Sequence, residues 1–271
     1  DPFIFHIEEI FKDWFIKMGP WPVLPLIALG LLTTARKYWK ETLLLLVWFL
    51  FPILVQSMYA KVFTVRYILF TLPPIFIIAA AGMLSKNKIL KNVNVLFLIL
   101  FLLMSGIFDF KLLTNPEKTN LPSSERSGYL EEWTSGTGIK EVADYLKNQN
   151  AKNPSEKIVV GTEGYFGTLP DGLQMYTQAV PNVTVIGTGL DFGEVPQSLI
   201  DSFKAGNKTY FVVNSSRLKM KPESFEANGL KVIATYKKAD RREKATHEYL
   251  WYGSHDTFYF FEVVKPNVST Y

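Results

Sequence analysis

The chain has 271 residues, 48% hydrophobic and 15% aromatic, with 29 Lys and Arg against 25 Asp and Glu for a net charge of +4. So small a positive balance argues against nucleic acid as a partner, the more so because the part from Thr137 onward holds 16 basic and 15 acidic residues. The absence of Cys excludes disulfides, thiolate catalysis and Cys-based metal sites. A mean hydropathy of +0.10 lies between soluble and polytopic chains, and a simple soluble enzyme does not fit it.

Residues 1–18 carry Phe3, Ile7, Ile10, Phe11, Trp14, Phe15 and Met18 at helical spacing, with Glu8, Glu9, Lys12 and Asp13 mostly on the other face. They read as an amphipathic helix, either lying in a membrane interface or packed on the protein. Stretches 18–35, 42–60, 67–85 and 92–108 then lack any charged residue. A window of roughly 17–20 apolar residues crosses a ~30 Å hydrocarbon core. The pattern predicts four spans, over about 20–35, 42–59, 66–84 and 91–108, with Pro52 kinking the second and Pro73-Pro74 inside the third. Residues 1–110 therefore form the expected membrane region.

Arg36, Lys37 and Lys40 crowd the first turn, and Lys86, Lys88 and Lys91 the third, whereas the second holds only Lys61 and Arg66. The positive-inside rule places the first and third turns in the cytoplasm. The expectation is a multi-pass protein of the plasma or inner membrane whose C-terminal domain is extracytoplasmic.

Residues 111–137 are rich in Pro, Ser, Thr, Asn and Gly without a sustained period and read as a linker. Over 138–271, helical and strand patterns alternate. Strands are expected in KIVVGTEG, PNVTVIGTG, KTYFVVNSS, GLKVIATYKKA and DTFYFFEVVK, the last two as an antiparallel edge. Helices are expected in GIKEVADYLKNQ, LPDGLQMYTQAV and VPQSLIDSFKAG. The fold class is thus a polytopic α-helical membrane region followed by a Rossmann-like three-layer α/β domain.

That domain lacks GxGxxG, a GxxxxGK[ST] loop and GxSxG. Ligands of such sheets bind at the carboxyl ends of the strands. Glu163, Tyr165, Phe166 and Asp171 follow the first strand, Asp191 and Phe192 the second, and Asn214, Ser215 and Arg217 the third. Carboxylates, amides and aromatic faces suit a glycan or a polar headgroup. The same residues also serve as turns and helix caps, as Asp171-Gly172 illustrates. His6, His247 and His255 lie far apart with no metal-ligand spacing, so no metal is expected here.

Arg66 begins the third span beside Tyr67. It reads either as an anchor reaching the headgroups or as a ligand for the phosphate of a lipid-linked substrate, which its planar fork of donors matches. Its setting, RYILFTLPPIFIIAAAG, brings Arg66, Tyr67, Leu72, Pro73 and Pro74 before the small residues 79–82. With the amphipathic helix before it and the α/β domain after it, this segment resembles the C-terminal half of bacterial GT-C type membrane glycosyltransferases. The nearest resemblance is to the dolichyl-phosphate-mannose–protein mannosyltransferase and lipid A aminoarabinose transferase group. The resemblance implies sugar transfer from a polyprenyl-phosphate donor to a glycan, lipid or protein acceptor outside the cytoplasm. It implies donor-phosphate contacts from Arg66, Lys61 and Tyr67. Acceptor contacts would then fall to Glu163, Tyr165, Asp171, Asp191, Asn214 and Arg217.

Family members carry their catalytic acids, often metal ligands too, in a first outer loop that nothing here matches. The chain is therefore expected to be a piece of a longer protein, inactive alone, with any divalent metal held upstream. The competing reading is a non-catalytic membrane-anchored protein whose outer α/β domain binds a polar ligand. A transporter is disfavoured because no charged residue lies inside the four expected spans, Arg66 and Lys91 standing at the first positions of theirs.

Overall fold

The computed structural model describes residues 2–10, 12, 14, 16, 21–60 and 64–265. The chain divides into two compact units, Asp1–Glu125 and Arg126–Tyr271.

The first unit is helical. α1 (Pro2–Glu9), α2 (Val23–Thr34) and α3 (Trp39–Tyr59) are followed by single 3-10 turns at Val65–Tyr67 and Leu69–Thr71. Next come α4 (Leu72–Ala81), a 3-10 turn at Gly82–Leu84, the long α5 (Lys88–Thr114) and one turn, α6 (Ser123–Arg126). α3 and α5 are long and apolar enough to cross a membrane. Their 21 and 27 residues extend about 32 and 40 Å. Of their most apolar 18 residues, 17% and 6% are buried, so Leu44, Trp48, Phe51, Leu102 and Ile107 face outward. A core helix of a soluble protein buries such residues.

Four full-length spans are not what the chain forms. α2 has 12 residues, about 18 Å, because Pro22 and Pro25 allow helix only from the first turn onward. The third expected span starts as helix at Leu72, not at residue 66. Pro73 and Pro74 sit in the first turn of α4 instead of its interior, where a missing N–H leaves no bond unmade. The chain before them tightens into 3-10 turns.

Within this unit, Ile10 and Trp14 bury themselves with Ile53 and Ile68, and His6 Nδ1 lies 2.9 Å from the Ser57 carbonyl. The apolar side of the N-terminal segment thus packs on α3, the second of the two readings of its amphipathic pattern. α2 and α4 touch backbone to backbone at Gly30. A Cβ there would stand 1.8 Å from the carbonyl oxygen of Ile78.

The second unit begins inside the segment read as a linker, much of which is ordered helix and turn. α5 runs to Thr114, and a π-helical turn spans Ser127–Glu131. Glu125, Arg126, Glu131 and Glu132 are buried, for the electrostatic reason given below. α7 (Ile139–Lys152) leads into β1 (Ile158–Glu163), α8 (Asp171–Thr177), β2 (Val183–Gly189), α9 (Gln197–Lys204) and β3 (Lys208–Asn214). β4 (Leu230–Lys237), α10 (His247–Tyr252) and β5 (Thr257–Val263) complete it.

The sheet is mixed, in the order β2-β1-β3-β5-β4. β1 pairs parallel with β2 and β3, while β5 pairs antiparallel with β3 and β4. Alternation along the strands builds a core on each face. Ile158, Val160, Tyr210, Val212, Phe258 and Phe260 pack under Val142 and Leu146 of α7 and Leu173 of α8. Phe211, Val213, Phe261 and Val263 pack with Leu199 of α9, Phe192 and Phe225.

The Gly30 contact generates the first prediction. Gly30→Ala is expected to force α2 and α4 apart and destabilise the helical unit by about 1–3 kcal/mol. A lowered midpoint of heat-induced aggregation would report it, and an unchanged midpoint would refute it.

Candidate functional site

Two polar constellations stand out, one in each unit. In the first, the 3-10 turn Val65–Tyr67 projects an exposed Arg66. Its guanidinium carbon lies 5.1 Å from the centre of the Tyr67 ring, and Nη2 donates to the Tyr67 hydroxyl at 3.3 Å. The turn itself is pinned by Glu125, whose Oε1 accepts from the Val65 N–H at 2.8 Å. Glu125 is 5% exposed, and sequence reading missed it because its partner lies sixty residues away. Arg66 and Tyr67 therefore form a held cationic point beside the apolar start of α4. Lys61, the third expected donor-phosphate contact, lies outside the described residues.

In the second unit, strand order decides where polar groups meet. The connection after β1 leads to β2 on one side, and the one after β3 leads to the other half of the sheet. The carboxyl ends of β1 and β3 thus flank a topological switch point, the place where α/β sheets take ligands. Glu163 ends β1 and Asn214 ends β3. Here they hold each other. Glu163 Oε2 accepts from the Asn214 backbone N–H at 2.6 Å and Oε1 from its Nδ2 at 2.7 Å. Burial pushes the Glu163 carboxyl up from its ordinary range, and the Asn214 donors pull it part of the way back.

A set of buried ion pairs stands in the same unit, with Lys238 near enough to act on the Glu163 charge. Lys238 Nζ donates to the Glu132 carbonyl at 2.9 Å and lies 3.5 Å from Asp256 Oδ2. Burial pushes the Lys238 ammonium down, against the pull of Asp256. Asp256 Oδ1 accepts from Ser215 Oγ at 2.6 Å and from the Ser216 and Thr257 amides at 3.0 and 3.1 Å. Arg241 grips Glu132 with Nε and Nη2 at 2.5 and 2.8 Å and donates through Nη1 to the Gly253 carbonyl. Arg126 pairs with Glu131. Arg217 lies over Trp133, its guanidinium carbon 4.8 Å from the ring centre.

The structure thus brings Glu163 and Asn214 together, with Arg217 near enough to act on the Glu163 charge, and leaves Tyr165, Asp171 and Asp191 out of that contact. Asp171 accepts from the Gly167 N–H at 2.8 Å and borders a shallow 460 Å³ groove between α8 and β2. Asp191 stands 3.6 Å from Lys219. Tyr165 is largely exposed on the loop after β1, next to an exposed Phe166. Sequence reading missed Glu131, Glu132, Lys238, Arg241 and Asp256. The one visible signal was the opposite charge of Glu131-Glu132 and the run 237–244, whose pairing needs the folded chain. Among the described residues, no group of three His, Asp or Glu side chains is placed to hold a metal ion. Compared with family models, with curated proteins and with solved structures, the chain matches none.

Two expectations follow. Glu163 has a raised folded-state pKa, so its contribution to stability is full below the unfolded value near 4.5 and is lost as pH rises through the folded value. Glu163→Gln should abolish that loss, which hydrogen exchange of β1 and β3 amides across pH would show. A wild-type slope retained in the variant would refute it. Arg241→Met alone, leaving Glu132 buried and unpaired, should destabilise this unit by about 3–5 kcal/mol, and Glu132→Leu with Arg241→Met should recover most of the loss. Denaturation of the single and double variants checks it, and equal losses would contradict it.

Proposed function

We propose that this chain is the C-terminal part of a membrane glycosyltransferase that moves a sugar from a polyprenyl-phosphate donor to an extracytoplasmic acceptor. The observation that carries this reading is the Arg66–Tyr67 turn. A guanidinium is stacked and hydrogen-bonded by its own neighbour, on a turn pinned by Glu125, where an apolar helix begins. A phosphate leaving a sugar gains negative charge, and a fixed cation beside it lowers that barrier. The prenyl chain would lie along the apolar surface that starts at Leu69 and Phe70, both exposed.

Membrane insertion is supported by the bare apolar surfaces of α3 and α5. α4 with its flanking 3-10 turns, residues 65–84, spans roughly 30 Å if extended end to end, enough to return the chain between them. The lysines and arginines before α3 and α5 favour a cytoplasmic side there, with Arg66 and everything after α5 outside. The alternative, an outer domain that binds a polar ligand at its switch point, is weakened by Glu163 and Asn214. Both are buried and bonded to each other, which leaves that crevice plugged.

In the full-length protein, Arg66→Ala should lower kcat/KM for the polyprenyl-phosphate-sugar by about 10²-fold, the loss typical of one transition-state donor. Arg66→Lys should keep part of the activity, because charge survives while the stacked fork is lost. Unchanged donor kinetics in a normally inserted Arg66→Ala protein would reduce Arg66 to an anchor.

A further inference from the structure

The turn between α2 and α3 and the turn before α5 converge on a cavity of 740 Å³. Arg36, Lys37 and Lys86 line it and are exposed. Glu41 is the one carboxylate among its lining residues. Among the described residues, none of the three cations has a carboxylate within ion-pair distance, and Lys37 Nζ instead lies 5.0 Å from the centre of the Tyr38 ring. Leu32, Leu45, Ile77 and Leu84 provide apolar wall. Asn87, which caps α5 by accepting from Ile89 and Leu90 N–H at 2.9 and 3.3 Å, lies at the same rim. The positive end of a 27-residue helix dipole therefore adds to the cations.

Three like charges that share a cavity with one carboxylate, none of them in an ion pair with it, repel one another, and an anion among them removes that repulsion. The cavity is of the size that takes a small amphiphile, and basic pockets between membrane helices take anionic lipid heads. We propose that this cavity binds an amphiphile with an anionic phosphate head and a hydrocarbon chain. The phosphate sits among Arg36, Lys37 and Lys86, and the chain lies on the Leu32–Ile77–Leu84 wall.

This site is distinct from Arg66. Arg36 and Lys37 precede the first residue of α3 and Arg66 follows its last. The 21 residues between set the two ends about 32 Å apart, beyond the reach of one phosphate. The two sources of such a ligand are a diacyl phospholipid of the bilayer and a polyprenyl phosphate.

The test is native mass spectrometry of the full chain in detergent micelles, made in the Arg66→Ala background so that the donor reading does not enter. Phosphatidylglycerol, a polyprenyl phosphate, zwitterionic phosphatidylcholine and inorganic phosphate are the probes. At least one anionic amphiphile should bind about tenfold tighter than phosphatidylcholine. Retention of both anionic probes identifies bilayer lipid as a source, and retention of the polyprenyl phosphate alone identifies the carrier. Replacing Arg36, Lys37 and Lys86 together by Gln should erase the preference. Ile77→Trp, at an exposed wall position, should weaken binding with every charge in place. Equal retention of phosphatidylcholine, full competition by inorganic phosphate, or unchanged binding in both variants would overturn the proposal.

Discussion

Strand β3 carries the pairing on which the second unit rests. On one side it runs parallel to β1 and on the other antiparallel to β5, and all but its first residue are buried. A strand covered on both faces and bonded along both edges must be apolar on alternate residues in both directions. TYFVV meets that demand with Tyr210 and Val212 in one core and Phe211 and Val213 in the other. Because β3 is the seam between the parallel and antiparallel halves, its carboxyl end is also where the polar groups of the unit collect.

Those groups answer a solvation problem. Glu132, Glu163, Lys238, Arg241 and Asp256 are each 8% exposed or less. An isolated ion at such depth loses several kcal/mol of hydration. Each is offset by a named partner, so the array is tolerated and fixes the 126–135 segment against the strands. The helical unit meets the opposite condition. Many of its large side chains are on the outside, and several of its hydroxyls are bound locally, as when Thr34 and Thr42 donate to the Gly30 and Tyr38 carbonyls. Main-chain geometry adjusts there through 3-10 turns and a glycine contact in place of ion pairs.

Much of this was legible in the residues. The alternation of apolar runs with amphipathic helices located all five strands and α7, α8 and α9, since period 2 and period 3.6 are directly visible, but not the six-residue α10, too short to show a period. Charge-free stretches located the apolar segments, but not their helical extent. The effect of Pro22, Pro25, Pro73 and Pro74 depends on which turn of a helix they enter, and composition does not say. At the switch point, Glu163 and Asn214 were visible as polar residues ending strands. That they bond each other, and that 131–132 pair with 238–241, was not visible, because each pairing joins segments fifty to more than a hundred residues apart. The linker reading failed for the same reason: a polar segment without a period is ordered by distant charges.

The strand order also has a consequence for biosynthesis. β5 is the last of the five in the chain, yet it lies inside the sheet, between β3 and β4. Until β5 has left the ribosome, β3 has no neighbour on one edge and β4 has no neighbour at all. Closure of the sheet therefore waits on its last strand, and before that step the open edges of β3 and β4 are available to other chains. Chaperone protection of the nascent chain matters most while residues 208–237 have emerged and 257–263 have not.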